Sequence, residues 1–154
     1  MKIAIGSDHA GWEGDPGYKA GLFAHLKNQG HDLLDCGPDN ANPVDYPDYA
    51  QKVCDAVLDG RAERGVIICG TGIGMSMAAN RNPGIRAAVC WSPEVAELSR
   101  QHNNANVLCL GRRMLSLDEC FAITNAWFAA SFSIEQRHHD RVDKMDKLTG
   151  ESGA

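Results

Sequence analysis

Five short apolar runs recur along this chain of 154 residues, and segments of helical periodicity separate them. That alternation restricts the fold more than any other feature, because parallel strands need crossover helices that also cover both faces of the sheet. The pattern predicts strands over residues 2–6, 31–36, 65–69, 86–91 and 106–110. Ala50, Val53, Cys54, Val57 and Leu58 follow the i, i+3, i+4, i+7, i+8 stripe of a helix, with Pro47 near its first turn. Ser92-Pro93-Glu94 reads as an N-cap, a proline at the first helical position and an early acid. Ser116-Leu117-Asp118-Glu119 reads as a capping box ahead of the apolar face Leu117, Cys120, Phe121, Thr124 and Phe128. A polar helix is expected over about 134–148 and a frayed tail over 149–154. With no internal repeat and no linker, residues 1–148 are expected to form a single domain.

The third strand ends in a distinctive way. Val66-Ile67-Ile68 runs into Cys69-Gly70-Thr71-Gly72-Ile73-Gly74-Met75-Ser76, a glycine-rich turn opening a helix near residue 73 or 74. Glycines let the backbone approach a small anion closely, and the first turn of a helix aims unpaired N–H groups and a positive dipole end at the same spot. A thiol set at a helix N-terminus should ionise more readily than a free one, which suits a nucleophile or base facing an oxyanion cradle. The plainer reading, a small buried residue closing a strand, accounts for Cys69 but not for the glycines that follow. Two better-known templates fail. A dinucleotide fingerprint needs G-x-G-x-x-G, but the third glycine comes one residue early, and about 20 residues on, where an acid should meet the ribose, Ala87-Ala88-Val89-Cys90 ends at Trp91 and Ser92. A cysteine phosphatase loop needs an arginine where Met75 stands.

Composition narrows the partners. A net charge of −5 disfavours general nucleic-acid binding, and no apolar stretch approaches transmembrane length. The six cysteines (36, 54, 69, 90, 109, 120) include no C-x-x-C pair, so no zinc knuckle is expected. Thiols lying in or beside apolar runs suit a reducing compartment, and the chain opens on a strand rather than a leader, so a cytoplasmic protein is expected.

In open parallel sheets the ligand crevice lies at the carboxyl ends of the strands. There the sequence sets Ser7-Asp8-His9-Ala10-Gly11, Asp45-Tyr46-Pro47, the cysteine loop, and Gly111-Arg112-Arg113. Asp8 and His9 are either a turn aspartate with an exposed histidine or ligands of the crevice. His102-Asn103-Asn104-Ala105-Asn106 is either a helix C-cap or a polar site. Arg137 and Arg141 share one helical face, which is either simply solvated or half of a phosphate fork. His138 and His139 are about 100° apart on a helix and make poor joint metal ligands.

Taken together, Ser7-Asp8-His9-Ala10-Gly11, Asp45-Tyr46-Pro47, Cys69-Gly70-Thr71-Gly72-Ile73-Gly74, Ala78-Ala79-Asn80-Arg81, Gly84-Ile85-Arg86-Ala87, His102-Asn103-Asn104-Ala105-Asn106 and Arg137-His138-x-x-Arg141-Val142 resemble the type B ribose-5-phosphate isomerases. That family also includes galactose-6-phosphate and allose-6-phosphate isomerases. The resemblance runs in order to about residue 147. It implies a three-layer α/β/α, Rossmann-like fold with a five-stranded parallel sheet, in a homodimer or dimer of dimers with shared active sites. It also implies aldose–ketose isomerisation of a phosphosugar, within the pentose phosphate pathway, with neither metal nor organic cofactor.

Carried over by matching motif, Cys69 is the base that moves the proton between C1 and C2. Thr71 and the N–H groups around Gly70, Gly72 and Gly74 hold the enediolate oxygen. Asp8 binds sugar hydroxyls, His102 assists ring opening with Asn103 beside it, and His9, Arg113, Arg137 and Arg141 take the phosphate. Asp45 and Tyr46 border the sugar, and Asp45 is a candidate second acid/base group. The resemblance also sets His102 against the partner subunit's site. Two competing classes are a non-catalytic phosphosugar binder and a nucleotide-dependent oxidoreductase; the intact Cys69, Thr71 and His102 disfavour the first, and the missing third glycine disfavours the second. One departure stands out. Family members pass from Asp-His-Ala-Gly through an aromatic residue almost directly into the first helix, whereas this chain inserts Gly14-Asp15-Pro16-Gly17 after Trp12-Glu13. The insertion is either a harmless bulge or a reshaped mouth beside Asp8 and His9.

Overall fold

A computed structural model describes residues 1–148; the tail expected over 149–154 lies outside the described residues. The strands are β1 (Lys2–Ser7), β2 (Asp32–Asp35), β3 (Arg64–Cys69), β4 (Ala87–Val89) and β5 (Val107–Gly111). The helices are α1 (Tyr18–Asn28), α2 (Tyr46–Leu58), α3 (Ile73–Ala79), α4 (Pro93–Asn103), α5 (Leu117–Ala129) and α6 (Gln136–Leu148), with a 3-10 turn at His9–Trp12. All strand pairs are parallel, in the order β2-β1-β3-β5-β4. The expected three-layer α/β/α, Rossmann-like sheet is what the chain forms.

Strand parity sorts the core. Ile3, Ile5, Val66, Ile68, Leu108 and Leu110 face one layer with Leu22, Leu26, Ile123 and Trp127. Ala4, Ile67, Cys69, Val107 and Cys109 face the other, with Val53 and Cys54 of α2 and Met75 and Ala79 of α3. The two-residue period of a strand therefore commits Cys69 to the α2/α3 side. The first signals along the helices also hold. Ser92 Oγ accepts the Val95 N–H, and Ser116 closes the capping box with Glu119.

The two edge strands are shorter than their apolar runs, because each has a ladder on one side only. β2 stops at Asp35 although Cys36 N–H still donates to Ile5 C=O at 2.8 Å. β4 covers three residues, and its backbone at Ala87 is met from outside by the Asn80 amide, at 2.9 and 2.8 Å. That pairing blunts an edge which would otherwise offer a free strand. The last helix begins at Gln136 rather than 134, after Ser133 Oγ has accepted the Glu135 N–H.

Small residues let α2 come close to the sheet. A Cβ on Gly65 would stand 2.6 Å from Val53 Cγ1, and one on Gly6 would stand 2.7 Å from Val53 Cγ2. Val53 thus sits in a notch between β1 and β3, and this depth fixes where the N-terminus of α2 emerges beside the β3–α3 turn. α6 is the opposite case, a polar helix docked by few groups. Its His138 is 3 % exposed and stacks on His102 of α4 with ring centroids 4.3 Å apart. Val142 is buried beside it, and Arg86 pairs with Asp146 at 2.9 Å. Burial, followed by the positive charges of His102 and Arg137, holds the His138 pKa below the ordinary histidine value.

Two outcomes follow. Gly65→Ala forces Val53 or the α2 backbone outward and should cost about 1–3 kcal/mol, the usual range for overpacking. Thermal unfolding should show a midpoint lower by several degrees, and an unchanged midpoint would mean the notch has slack. For His138 the folded pKa is depressed, so the undocked helix binds more protons and docking weakens as pH falls. The stabilisation is complete above the ordinary value of about 6.5 and is lost as pH drops through the depressed folded value. Hydrogen exchange of α6 amides, corrected for intrinsic rates, should show falling protection from pH 7.5 to 5, and His138→Phe should flatten that dependence.

Candidate active site

The turn after β3 must convert a strand into a helix within three residues. Gly72, the residue before α3, does this at φ +81°, a left-handed conformation that a side chain would strain. Its N–H then points back at Cys69 Sγ, 3.1 Å away. Thr71 is exposed, and its Oγ1 accepts the Ile73 N–H at 3.3 Å. The next N–H groups, in the first turn of α3, have no carbonyl within the helix to bond to. Among the described residues, Cys69 is the one cysteine whose sulfur accepts a backbone N–H. Burial pushes the Cys54 thiol up to about 12 and those of Cys90 and Cys120 to about 11, and raises Cys36 and Cys109 as well.

Neighbouring loops are stitched to this turn. Arg112 N–H donates to Cys69 C=O at 2.8 Å and Arg113 N–H to Gly70 C=O at 2.9 Å. The Arg113 guanidinium lies across Gly70, where a Cβ would stand 3.2 Å from Nη1. Gly74 makes room for the Tyr46 ring, since a Cβ there would come within 2.8 Å of it. Tyr46 opens α2, preceded by Asp45, which is exposed and makes no side-chain cap bond.

Asp8 follows β1, the strand beside β3, at the point where the strand order reverses. It is buried; its N–H donates to Ile68 C=O at 3.0 Å and its Oδ1 accepts the Ala10 N–H at 2.8 Å. The turn-aspartate reading is therefore correct for one oxygen, with Oδ2 left over. His9 is half-buried, with Nδ1 lacking a protein partner. Asp8, His9, Asp45, Tyr46, Cys69, Gly70, Thr71, Gly72, Gly74 and Arg113 thus gather at the carboxyl edge of the sheet.

His102, Asn103, Arg137 and Arg141 do not join them within one chain. α4 starts at the carboxyl end of β4 and returns to the amino end of β5, and eleven residues at about 1.5 Å each carry its last turn about 16 Å from its first. His102 lies in that last turn, Asn103 is exposed beside it, and the C-cap is Asn104 at φ +48°. α6 packs against the same region through the His102–His138 stack. Arg137 is exposed there and paired with Glu135 at 2.7 Å, and Arg141 lies one turn further on, also exposed.

Sequence reasoning missed the residue in closest contact with Arg113. Glu13 Oε1 accepts from Arg113 Nη2 at 2.7 Å and Nε at 3.2 Å, while Glu13 C=O accepts from Arg112 Nε at 3.2 Å. The bond to Arg113 holds the Glu13 carboxyl below the usual carboxylate range. The signal was the inserted turn beside Asp8, which marked an altered loop without showing what it touches. Among the described residues, no group of three or more histidines, cysteines or carboxylates is set to hold a metal ion, and no helix is long and apolar enough to cross a membrane.

This arrangement is shared with characterised folds. Residues 3–145 match the sequence profile described as Ribose/Galactose Isomerase. The chain is 44% identical to ribose-5-phosphate isomerase B of Escherichia coli over 147 residues, 96% of this chain and 95% of that one. The structure of Clostridium thermocellum ribose-5-phosphate isomerase B superposes with a TM-score of 0.94 at 44% identity, covering 99% of this chain and 100% of the other. The type B enzyme of Trypanosoma brucei gives a TM-score of 0.91 at 39% identity, with 96% and 98% covered. A profile spanning nearly the whole chain and relatives of matching length leave one assignment, and the chain belongs to the ribose/galactose isomerase family.

Proposed function

We propose that this protein interconverts D-ribose 5-phosphate and D-ribulose 5-phosphate, as its relatives' names state for them. The observation that carries the reading is Cys69 Sγ under the Gly72 N–H at the head of α3, beside Asp8 at the switch point of the sheet. Moving a proton next to a carbonyl needs a base within about 3 Å and donors aimed at the oxygen that becomes negative. Cys69 takes the proton from C2 of the open-chain aldose and returns it to C1. Thr71 and the first-turn N–H groups of α3 receive the enediolate oxygen, and Asp45, the candidate second acid/base group, passes the hydroxyl proton from O2 to O1. Asp8 Oδ2 binds a sugar hydroxyl, and Tyr46, held over Gly74, walls the sugar. His9 and Arg113 take the phosphate, whose remote binding energy positions the reacting carbons. Galactose 6-phosphate or allose 6-phosphate is the second reading, favoured by the insertion that reshapes the mouth beside His9.

The remaining roles, ring opening by His102 next to Asn103 and phosphate binding by Arg137 and Arg141, require a second copy. Their place at the far edge of the sheet supports a homodimer, alone or paired into a tetramer, whose sites are each built from both chains. Ile73 and Met77 on α3, the helix that follows the Cys69 turn, and Trp91 after β4 are exposed apolar groups suited to such an interface. Free thiols throughout suit a cytoplasmic enzyme.

Proton NMR in deuterated water tests the reaction. Ribose 5-phosphate should exchange its C2 proton and form the ketose, and Cys69→Ala should lower turnover by about 10²–10⁴, the usual contribution of a positioned base, while still binding substrate. Normal turnover by Cys69→Ala would move the base to Asp45, and no exchange with ribose, allose or galactose phosphates would end the isomerase reading. Subunit mixing tests the shared site. Inactive Cys69→Ala and His102→Ala subunits, after exchange, should recover about a quarter of wild-type activity, because half the dimers are mixed and each has one intact site of two. No recovery after verified exchange would assign each site to a single chain.

A further inference from the structure

We infer that Glu13 is a built-in competitor for the substrate's phosphate: its carboxylate occupies the Arg113 fork, and an anionic substrate must displace it, so this residue, which leads into the inserted turn, sets how strongly the site favours phosphorylated over free sugars. The inference rests on the reading of Arg113 as a phosphate ligand.

The geometry is that of an occupied anion site. Arg113 presents two nitrogens to one carboxylate oxygen, at 2.7 and 3.2 Å, and offers a phosphate oxygen the same fork. The guanidinium stands over Gly70, one residue from Cys69, so what it binds lies at the mouth of the candidate site. Glu13 is tethered at its backbone, while its carboxylate is held by the Arg113 side chain. Its N–H donates to Ala10 C=O at 3.1 Å, and its C=O accepts from Tyr18 N–H at 3.1 Å and Arg112 Nε at 3.2 Å. The carboxylate, by contrast, is on a side chain 36% exposed, and the Arg113 side chain is 57% exposed. A rotation about the Glu13 side chain opens the fork without moving the loop.

Charge decides the exchange. Glu13 stays ionised at neutral pH, since the Arg113 bond lowers its pKa. A phosphate ester brings up to two negative charges and three acceptor oxygens, so it displaces a single carboxylate. A free sugar brings no charge and leaves Glu13 in place. The expected effect is moderate, because exposed ion pairs are screened by solvent.

Titration calorimetry with inorganic phosphate tests this without requiring turnover. Glu13→Ala and Glu13→Gln should each bind phosphate about three- to fivefold more tightly than the parent, the range expected for release of an exposed pair. Ribose 5-phosphate should gain similarly, and free ribose should not. Unchanged or weaker phosphate binding in both variants would overturn the inference and make Glu13 a positioning residue for Arg113. A second readout uses the unaltered protein: carbon NMR of the Glu13 carboxyl should show its pKa rising toward the ordinary value when sulfate saturates the site, and an unmoved titration would also overturn it. Tighter phosphate binding in a protein that isomerises no phosphosugar would leave Glu13's role standing and remove only the proposed reaction.

Discussion

The Gly72 N–H approaching Cys69 Sγ at 3.1 Å is the contact from which the remaining geometry follows. For it to form, β3 must end with its side chain on the α2/α3 side, and the chain must reverse into α3 without a Cβ at Gly72. A side chain there would meet the Leu110 carbonyl carbon at 3.2 Å in a conformation already unfavourable for it. The same tight turn brings the Cys69 and Gly70 carbonyls to the N–H groups of Arg112 and Arg113, so the end of β5 is fixed relative to the thiol. It also puts Gly74 where the Tyr46 ring must rest, which couples α2 to the site through the depth of Val53 between Gly6 and Gly65. The thiol, the N-terminus of α3, the Arg113 guanidinium and the Tyr46 ring are therefore placed by one backbone reversal.

Much of this was legible because it repeats locally. Val66-Ile67-Ile68 running into Cys69 declared a buried strand and the residue at which it ends. Ser92-Pro93 and Ser116 with Glu119 fixed helix starts through bonds that span only three residues. The edge strands were read too long because an apolar run records burial, while strand length depends on a neighbour that the sequence does not name. Asn80 capping Ala87 is such a neighbour. The contacts that escaped notice join side chains far apart in sequence, as Glu13 to Arg113 and His102 to His138 do. No periodicity records a pair of that kind. The inserted Gly14-Asp15-Pro16-Gly17 was visible as a departure, yet its consequence depended on where the turn after β5 would stand.

The same distances conceal two kinds of cation. Lys19 and Asp35, Arg86 and Asp146, Arg113 and Glu13, and Arg137 and Glu135 all pair between 2.7 and 2.9 Å. Burial separates them: the Lys19 and Arg86 side chains are 8% and 16% exposed, while those of Arg113 and Arg137 are 57% and 61%. Lys19 also donates to Pro38 C=O and Arg86 to Asn104 C=O, so breaking either pair strands a desolvated charge that the fold cannot easily rehydrate. Arg113 and Arg137 are different, because water can take the place of either partner and the net strength of the pair is small. A cation meant to receive an arriving anion has to be of this second kind, held in position by a carboxylate that leaves readily. Arg61 and Asp59, 2.8 Å apart with side chains 54% and 50% exposed, form a third pair of this second kind, so exposure lets an anion replace a carboxylate without by itself marking where one binds.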